Sequence, residues 1–337
     1  MTQFYIGLND KTKGNLTAGF LFICHFMLSV FTLIFPIFAL IFLGWYLRKR
    51  DLLNNSATAQ LNKFVVWLAL PALLFDITAT SAIASLWQPG FVLSFTLSVF
   101  VIFTLTVAVQ KKRNMSLSES AIDGLNTSYA NTGFMGFPLL MAVAGSETQT
   151  PVLIATIITV CVLFAVAIVL IEIDLSKAVS LRSLIADVSV KLLKNPVVIA
   201  PMAGVMFTAF DIDPPQPLLT TASLLGHAAA PCALVTIGLF IAGSHTSTKG
   251  SSASVISFVI TKLLVHPALA YVIAMLIMPD NATGIFYVVL LSALPAGTGP
   301  FMLAEYYQKE AAKVSASILI TTVMSPFTLG VIIYLFQ

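Results

Sequence analysis

Charge is what this sequence has least of. Asp, Glu, Lys and Arg make up 9% of its 337 residues, against about 25% in a soluble domain. Such a chain cannot coat a water-facing surface. Cysteine is also scarce: Cys24, Cys161 and Cys232 lie inside apolar stretches, with no spacing of a zinc or redox pair. The sequence holds no His-Glu-x-x-His, no Gly-x-Ser-x-Gly and no paired catalytic aspartates at membrane depth, so the motifs of an intramembrane enzyme are missing. It also lacks a phosphate-binding loop for ATP coupling and a soluble output domain of the kind a sensor carries. A net charge of +3 is too small to imply nucleic acid. Period-2 alternation is absent too, which argues against a barrel.

Long hydrophobic runs fill the space. Hydrophobic residues reach 58% and the mean hydropathy is +0.97. The runs are about 20 residues long, the length a bilayer demands of a helix. The fold class expected is an all-α membrane protein of about ten spans, at 28–47, 57–80, 90–110, 118–146, 150–173, 190–209, 217–243, 253–277, 282–304 and 312–336. Basic residues alternate from joint to joint. Arg48, Lys49 and Arg50 follow the first span, and Lys111, Lys112 and Arg113 the third. Lys177, Arg182, Lys191 and Lys194 lie in or beside the joint over 174–189; Lys249 follows the seventh span, and Lys309 and Lys313 flank the last joint. The intervening joints carry Glu147, Asp211, Asp213 and Asp280 and no Lys or Arg. The positive-inside rule then puts the basic joints in the cytoplasm and both termini outside, in an inner (plasma) membrane. Residues 1–27 read as an N-terminal extension that is dispensable, with Met27 an alternative start.

The second half echoes the first about 160 residues later. Pro36 and Gly44 are matched by Pro196 and Gly204, and Pro71 by Pro231; Gly136-Phe137-Pro138 has a counterpart around Gly299-Pro300-Phe301. The division expected is a first five-helix repeat over 28–173, a cytoplasmic joint over 174–189 and a second repeat over 190–337. An odd number of spans per half inserts the halves with opposite orientation, the inverted repeat of many secondary transporters. The alternative is that prolines merely recur in membrane helices.

Two segments are poor membrane helices. The fourth span contains Asn126-Thr127-Ser128-Tyr129-Ala130-Asn131-Thr132-Gly133-Phe134-Met135-Gly136-Phe137-Pro138, and the ninth Leu294-Pro295-Ala296-Gly297-Thr298-Gly299-Pro300. Glycine and proline there remove ladder bonds and favour unwinding, which membranes tolerate only where the backbone is buried in protein or lines a cavity. Half-helix N-termini would face a bound anion, with Asn131, Thr132 and Thr298 beside them. A kinked but continuous helix packed tightly at its glycines is the other reading. Ionisable residues at depth carry hypotheses of their own. Lys262 reads as a cation that binds or balances a carboxylate, or as a lysine that snorkels to the interface. Asp76, His227 and His266 read as proton carriers or as hydrogen-bonded packing. Lys63, Asp123 and Glu305 read as solvated groups near the cytoplasmic ends, and Asn62 as a neutral polar contact facing the site.

Asn131 to Leu140, the Leu-Ala-Leu-Pro of 68–71, Lys262-Leu-Leu-Val-His-Pro and Pro295-Ala-Gly together resemble the auxin efflux carrier family, from about Met27 onward. The resemblance implies two inverted five-helix repeats whose broken fourth and ninth helices cross at mid-membrane. It also implies carboxylate substrates, auxin in plant members and malate or similar acids in bacterial ones. The short central joint looks like the bacterial members. The function expected is secondary transport of small organic anions by alternating access, with no cofactor and no enzymatic activity. The site would comprise Asn131, Thr132, Gly133, Gly136, Pro138, Pro295, Gly297, Thr298 and Lys262. Expected partners are the anion, the lipid bilayer, a proton or sodium as coupling ion, and a second copy in a homodimer. The alternatives are a sodium symporter of the bile-acid type and a membrane sensor without transport.

Overall fold

The computed structural model describes residues 35–80, 88–145, 148–176, 181–243 and 252–336. The expectations for residues 1–27 and for Glu147, Lys177 and Lys249 lie outside them. The described residues are helical almost throughout. Helix α1 covers residues 35–49. Helix α2 is a continuous rod of Asn55–Phe64, a π-helical turn at Val65–Ala69, and Leu70–Thr80. Next come α3 (Pro89–Lys112) and α4 (Leu117–Ser128); a π turn at Thr132–Gly136 then leads into α5 (Phe137–Ala144). Helix α6 spans Gln149–Leu175, and α7 Leu181–Leu192. The second half holds α8 (Pro196–Ala209), α9 (Gln216–Gly243), α10 (Ser252–Ile277, with a π turn at Thr261–Val265) and α11 (Ala282–Ser292). It closes with α12 (Gly299–Tyr306) and α13 (Ala312–Phe336).

Six of these, α2, α3, α6, α9, α10 and α13, are long and apolar enough to cross a membrane, while α8 and α11 are shorter apolar helices. Their outer faces carry large exposed apolar side chains, with Leu276 78% and Leu335 73% exposed. Lipid tails suit such a surface and water does not. The sixth span, expected from residue 190, instead starts at Pro196 with Asn195 as its N-cap. Residues 181–192, placed mostly in a joint, form α7, so Lys191 belongs to that helix and pairs with Glu172 at 3.3 Å.

Three π turns have one local cause. Val65–Ala69, Thr132–Gly136 and Thr261–Val265 each end two residues before a proline, Pro71, Pro138 and Pro267. Proline lacks an N–H and its ring crowds the carbonyl four residues back; widening the preceding turn relieves the clash without breaking the helix.

Glycine sets the closest helix contacts. A Cβ on Gly44 of α1 would fall 2.1 Å from the Val235 carbonyl oxygen on α9. One on Gly204 of α8 would fall 2.1 Å from Thr78 Oγ1 and 2.8 Å from the Phe75 carbonyl oxygen on α2. Gly44 and Gly204 stand at the offset that relates Pro36 to Pro196, and so do Phe75 and Val235. Helix α8 packs most extensively on Leu70–Thr80 of α2, and α9 lies along the same rod. A small core of Phe75, Ala79 and Ala222 joins them. The larger core gathers α3, α4, α6, α11 and α12.

Candidate functional site

Helix α4 is firmly started and abruptly stopped. Ser116 and Glu119 form a reciprocal capping box. Asp174 of α6 accepts from the amides of Leu117 and Ser118. The helix ends at Ser128, and Tyr129 turns to an extended conformation. Helix α11 ends likewise at Ser292, and the chain runs non-helical before Gly299. The two interruptions meet as a short antiparallel bridge, Ala130 against Ala296. The Asn131 amide donates to the Pro295 carbonyl at 2.9 Å and the Gly297 amide to the Tyr129 carbonyl at 3.1 Å. The Ala296 amide donates to Thr321 Oγ1 of α13 at 3.2 Å. The amides freed by unwinding are thereby largely satisfied inside protein, as burial requires.

Tyr129 explains the glycines of the second segment. Its ring lies so close that a Cβ on Gly297 would fall 2.6 Å from Cε1, and one on Gly299 3.0 Å from Cζ. Phe164 of α6 supports the ring from a centroid distance of 6.0 Å. A Cβ on Gly136 would meet Val152 at 3.1 Å, whereas one on Gly133 would find only Thr156 Cγ2 at 3.9 Å.

A cavity of about 170 Å³ opens beside this bridge. One wall is Tyr129, Ala130, Asn131, Thr132, Gly133, Thr298 and Gly299, which includes both half-helix starts. The opposite wall is apolar: Val65, Leu70, Leu73 and Ile77 of α2, with Ala229 and Ala233 of α9. The cavity therefore lies between the Ala130–Ala296 bridge and the helices α2 and α9. Thr132 Oγ1 is engaged with Thr159 Oγ1 at 3.0 Å. Among the described residues, the Asn131 side-chain amide and the Thr298 hydroxyl have no protein partner. First-turn amides lack intrahelical acceptors by construction, and the wall holds the first residues of two helical segments, where the positive ends of helix dipoles lie. At about 30 Å³ per water molecule, the volume suits a solute of a few carbons.

Of the residues singled out in the sequence, Asn131, Thr132, Gly133 and Thr298 line this cavity, and Pro295 and Gly297 form its bridge. Gly136 packs behind, against Val152 of α6, and Pro138 opens α5. Lys262 is not in the lining. It is fully buried, and its Nζ donates to the Ser292 carbonyl at 2.7 Å and lies 3.3 Å from His266 Nδ1. His266 is fully buried with it. Asp76 is half-buried on α2, within electrostatic reach of His227. His227 is exposed, and its Nδ1 donates to the Ser223 carbonyl at 2.6 Å. Lys63 is exposed, and Asn62 Nδ2 donates to the Met302 carbonyl at 3.1 Å.

Asp123 corrects an expectation. It is fully buried, not solvated, and pairs with Lys313 Nζ at 2.9 Å and with Gln110 Nε2. Lys313, read as a flank of the last joint, is only 7% exposed. The pair is separated by most of the chain, so no periodicity links its members. The sequence places Tyr129 in the interrupted segment without a role and does not single out Thr159 or Thr321; a buried ring or hydroxyl that serves a neighbour's backbone leaves no spacing signal.

Residues 29–333 match the family described as membrane transport protein. A protein of Rhizobium meliloti (strain 1021) named "Putative malonate transporter" is 29% identical over 312 residues, covering 92% of this chain and 97% of the relative. An uncharacterized transporter of Escherichia coli (strain K12), YfdV, is 24% identical over 304 residues, covering 86% of this chain and 94% of its own. The lysosomal cholesterol signaling protein of Mus musculus is 25% identical over 317 residues, which are 88% of this chain but 36% of that protein.

Proposed function

Because the chain belongs to the membrane transport protein family, that of the auxin efflux carriers, we propose that it is a secondary carrier of small organic anions. The solute binds in the cavity beside the Ala130–Ala296 bridge and crosses by alternating access. The observation that carries this reading is the pairing of two half-helix starts with an unpartnered Asn131 amide and Thr298 hydroxyl on one cavity wall. Donors and dipole ends held in place, with no nearby carboxylate in the lining, stabilise a carboxylate without reorganising. The opposite wall offers only aliphatic contact, so the substrate class is a small carboxylate with a short carbon body. A relative named for malonate fits that class.

The ten-span plan of two inverted repeats belongs to the same proposal. Two features support it: the matched glycine contacts, Gly44 on Val235 and Gly204 on Phe75, and the two-way bridge at the crossing. A structure with this symmetry has two nearly equivalent ways to pack, which is what alternating access needs. The cavity borders α2 and α9 on one side and the crossing on the other, so sliding between them would carry the solute past the α2 wall.

The test is binding by the purified carrier. Malonate, malate and short monocarboxylates are titrated against thermal unfolding in lipid nanodiscs. Stabilisation by at least one of them, lost in Asn131→Ala, is the expected result. Stabilisation that Asn131→Ala retains in full removes the cavity from the account.

A further inference from the structure

Lys262 is the most deeply buried cation described, and nothing in the cavity uses it. It lies in the π turn before Pro267, a widened turn of the sort that recurs at functional sites. Its ammonium reaches the Ser292 carbonyl at 2.7 Å. Ser292 is the last residue of α11, a few residues before the crossing. The last carbonyls of a helix have no intrahelical donor and concentrate the negative end of its dipole. In transporters with interrupted helices, such carbonyl ends are where a coupling cation is held.

The rest of the cluster fits the same chemistry. For Nζ to donate to His266 Nδ1, that nitrogen must be bare, with the ring proton on Nε2. Two atoms of the residues that hold the ammonium, Ser292 Oγ and His266 Nε2, are buried without a partner, although buried polar atoms are almost always paired. Among the described residues no carboxylate bonds to it. Of the charged groups on elements packed against this turn, Glu119 on α4 closes that helix's capping box with Ser116, Asp123 is engaged with Lys313 on α13, and Lys111 and Lys112 lie at the exposed end of α3. An isolated ammonium is costly at such depth, and the carbonyl end of α11 is what offsets that cost.

We propose that the Lys262 ammonium is a tethered cation, occupying the place a monovalent coupling cation would take at the carbonyl end of α11, and that the carrier therefore works without sodium. The second clause rests on the carrier reading above; the first does not. Lys262 acts here on the geometry of the crossing and not as a ligand of the substrate. Truncating it leaves a hole bounded by the Ser292 carbonyl, Ser292 Oγ and His266, which a free cation can enter.

The experiment is thermal unfolding of the full chain in nanodiscs, in choline, sodium and methylammonium chlorides at equal ionic strength. The wild type melts at the same temperature in all three. Lys262→Ala melts several degrees lower in choline and saturably regains most of the loss in methylammonium and part of it in sodium. A Lys262→Ala protein equally unstable in all three salts overturns the proposal, because a merely structural lysine is not rescued by a cation. Should that variant not fold, Lys262→Met decides: it fills the volume without charge, and stability equal to the wild type in choline would also overturn the proposal. These arms need no substrate. Labelled malonate uptake into liposomes, with and without a sodium gradient, tests the consequence. Acceleration of the wild type by sodium removes the sodium-free coupling and leaves the carrier reading intact; absence of flux for any carboxylate removes the carrier reading and leaves the cation site to the melting result.

Discussion

Tyr129 and Asn131 flank Ala130 at the bridge to Ala296, and they play different parts there. Tyr129 shapes the turn opposite: its ring crowds any Cβ at 297, and together with Phe164 it crowds one at 299. Gly297→Ala should therefore destabilise the protein markedly, since the ring is held by Phe164 and cannot swing away freely. Gly133→Ala, by contrast, meets nothing closer than ordinary contact and should melt within a degree or two of the wild type. Equal melting temperatures for the two variants would show that the ring is not the constraint. Asn131 is the opposite kind of residue, with a free side chain in the cavity. Losing a hydrogen bond to a charged group costs about 1.5–3 kcal/mol, or about a ten- to hundredfold loss of affinity. Asn131→Ala should lose that much carboxylate affinity without a drop in stability. Asn131, Thr132, Gly133 and Thr298 were legible in the sequence because glycine and proline at membrane depth mark interrupted helices. The role of Tyr129 was not, since an aromatic residue inside an apolar run looks like any other.

At the scale of elements, proline placement made much of the helix geometry readable after the fact. Each π turn before Pro71, Pro138 and Pro267 follows from the missing N–H. The π turn at Ile157–Leu163 has no proline; there Thr159 Oγ1 donates to the Ala155 carbonyl at 2.8 Å, a back-bond of the kind that bends helices. Pairing between distant helices was the part hidden from sequence reading. Asp123 and Lys313 were each near an expected helix end, where solvation is the ordinary expectation, and only packing of α4 on α13 closes the pair. Removing one member strands a buried charge, which costs about 3–5 kcal/mol, whereas replacing both can be near neutral. Asp123→Asn and Lys313→Met should thus each lower the melting temperature strongly, and the double variant should recover most of it. A double variant as unstable as the two losses combined would mean that the ion pair is not the coupling between these helices.

For the whole molecule, composition was enough to assign a membrane protein, and the family resemblance a transporter, whereas six helices reach full crossing length among the described residues. The helices Pro196–Ala209 and Ala282–Ser292 fall short of a full crossing length, and the fourth span divides into α4 and α5 where its glycines and proline stand. Hydropathy windows merge a half-helix, its break and its continuation into one run, because all three are apolar. The alternation of basic joints still yields an orientation test. In a chain with Cys24, Cys161 and Cys232 replaced, single cysteines at the exposed positions Asn114 and Asp213 should react with an impermeant maleimide from opposite sides of sealed vesicles. Same-sided labelling would contradict the inverted arrangement.

The central claim is that carboxylates cross the membrane through the cavity beside the Ala130–Ala296 bridge, and flux measures it most directly. Purified protein in liposomes is given a panel of labelled mono- and dicarboxylates, malonate among them, alongside Asn131→Ala at matched reconstitution. The account predicts saturable uptake of at least one small carboxylate, with apparent affinity about ten- to hundredfold weaker in the variant. Uptake by the variant indistinguishable from the wild type, or no uptake of any carboxylate by either, would contradict it.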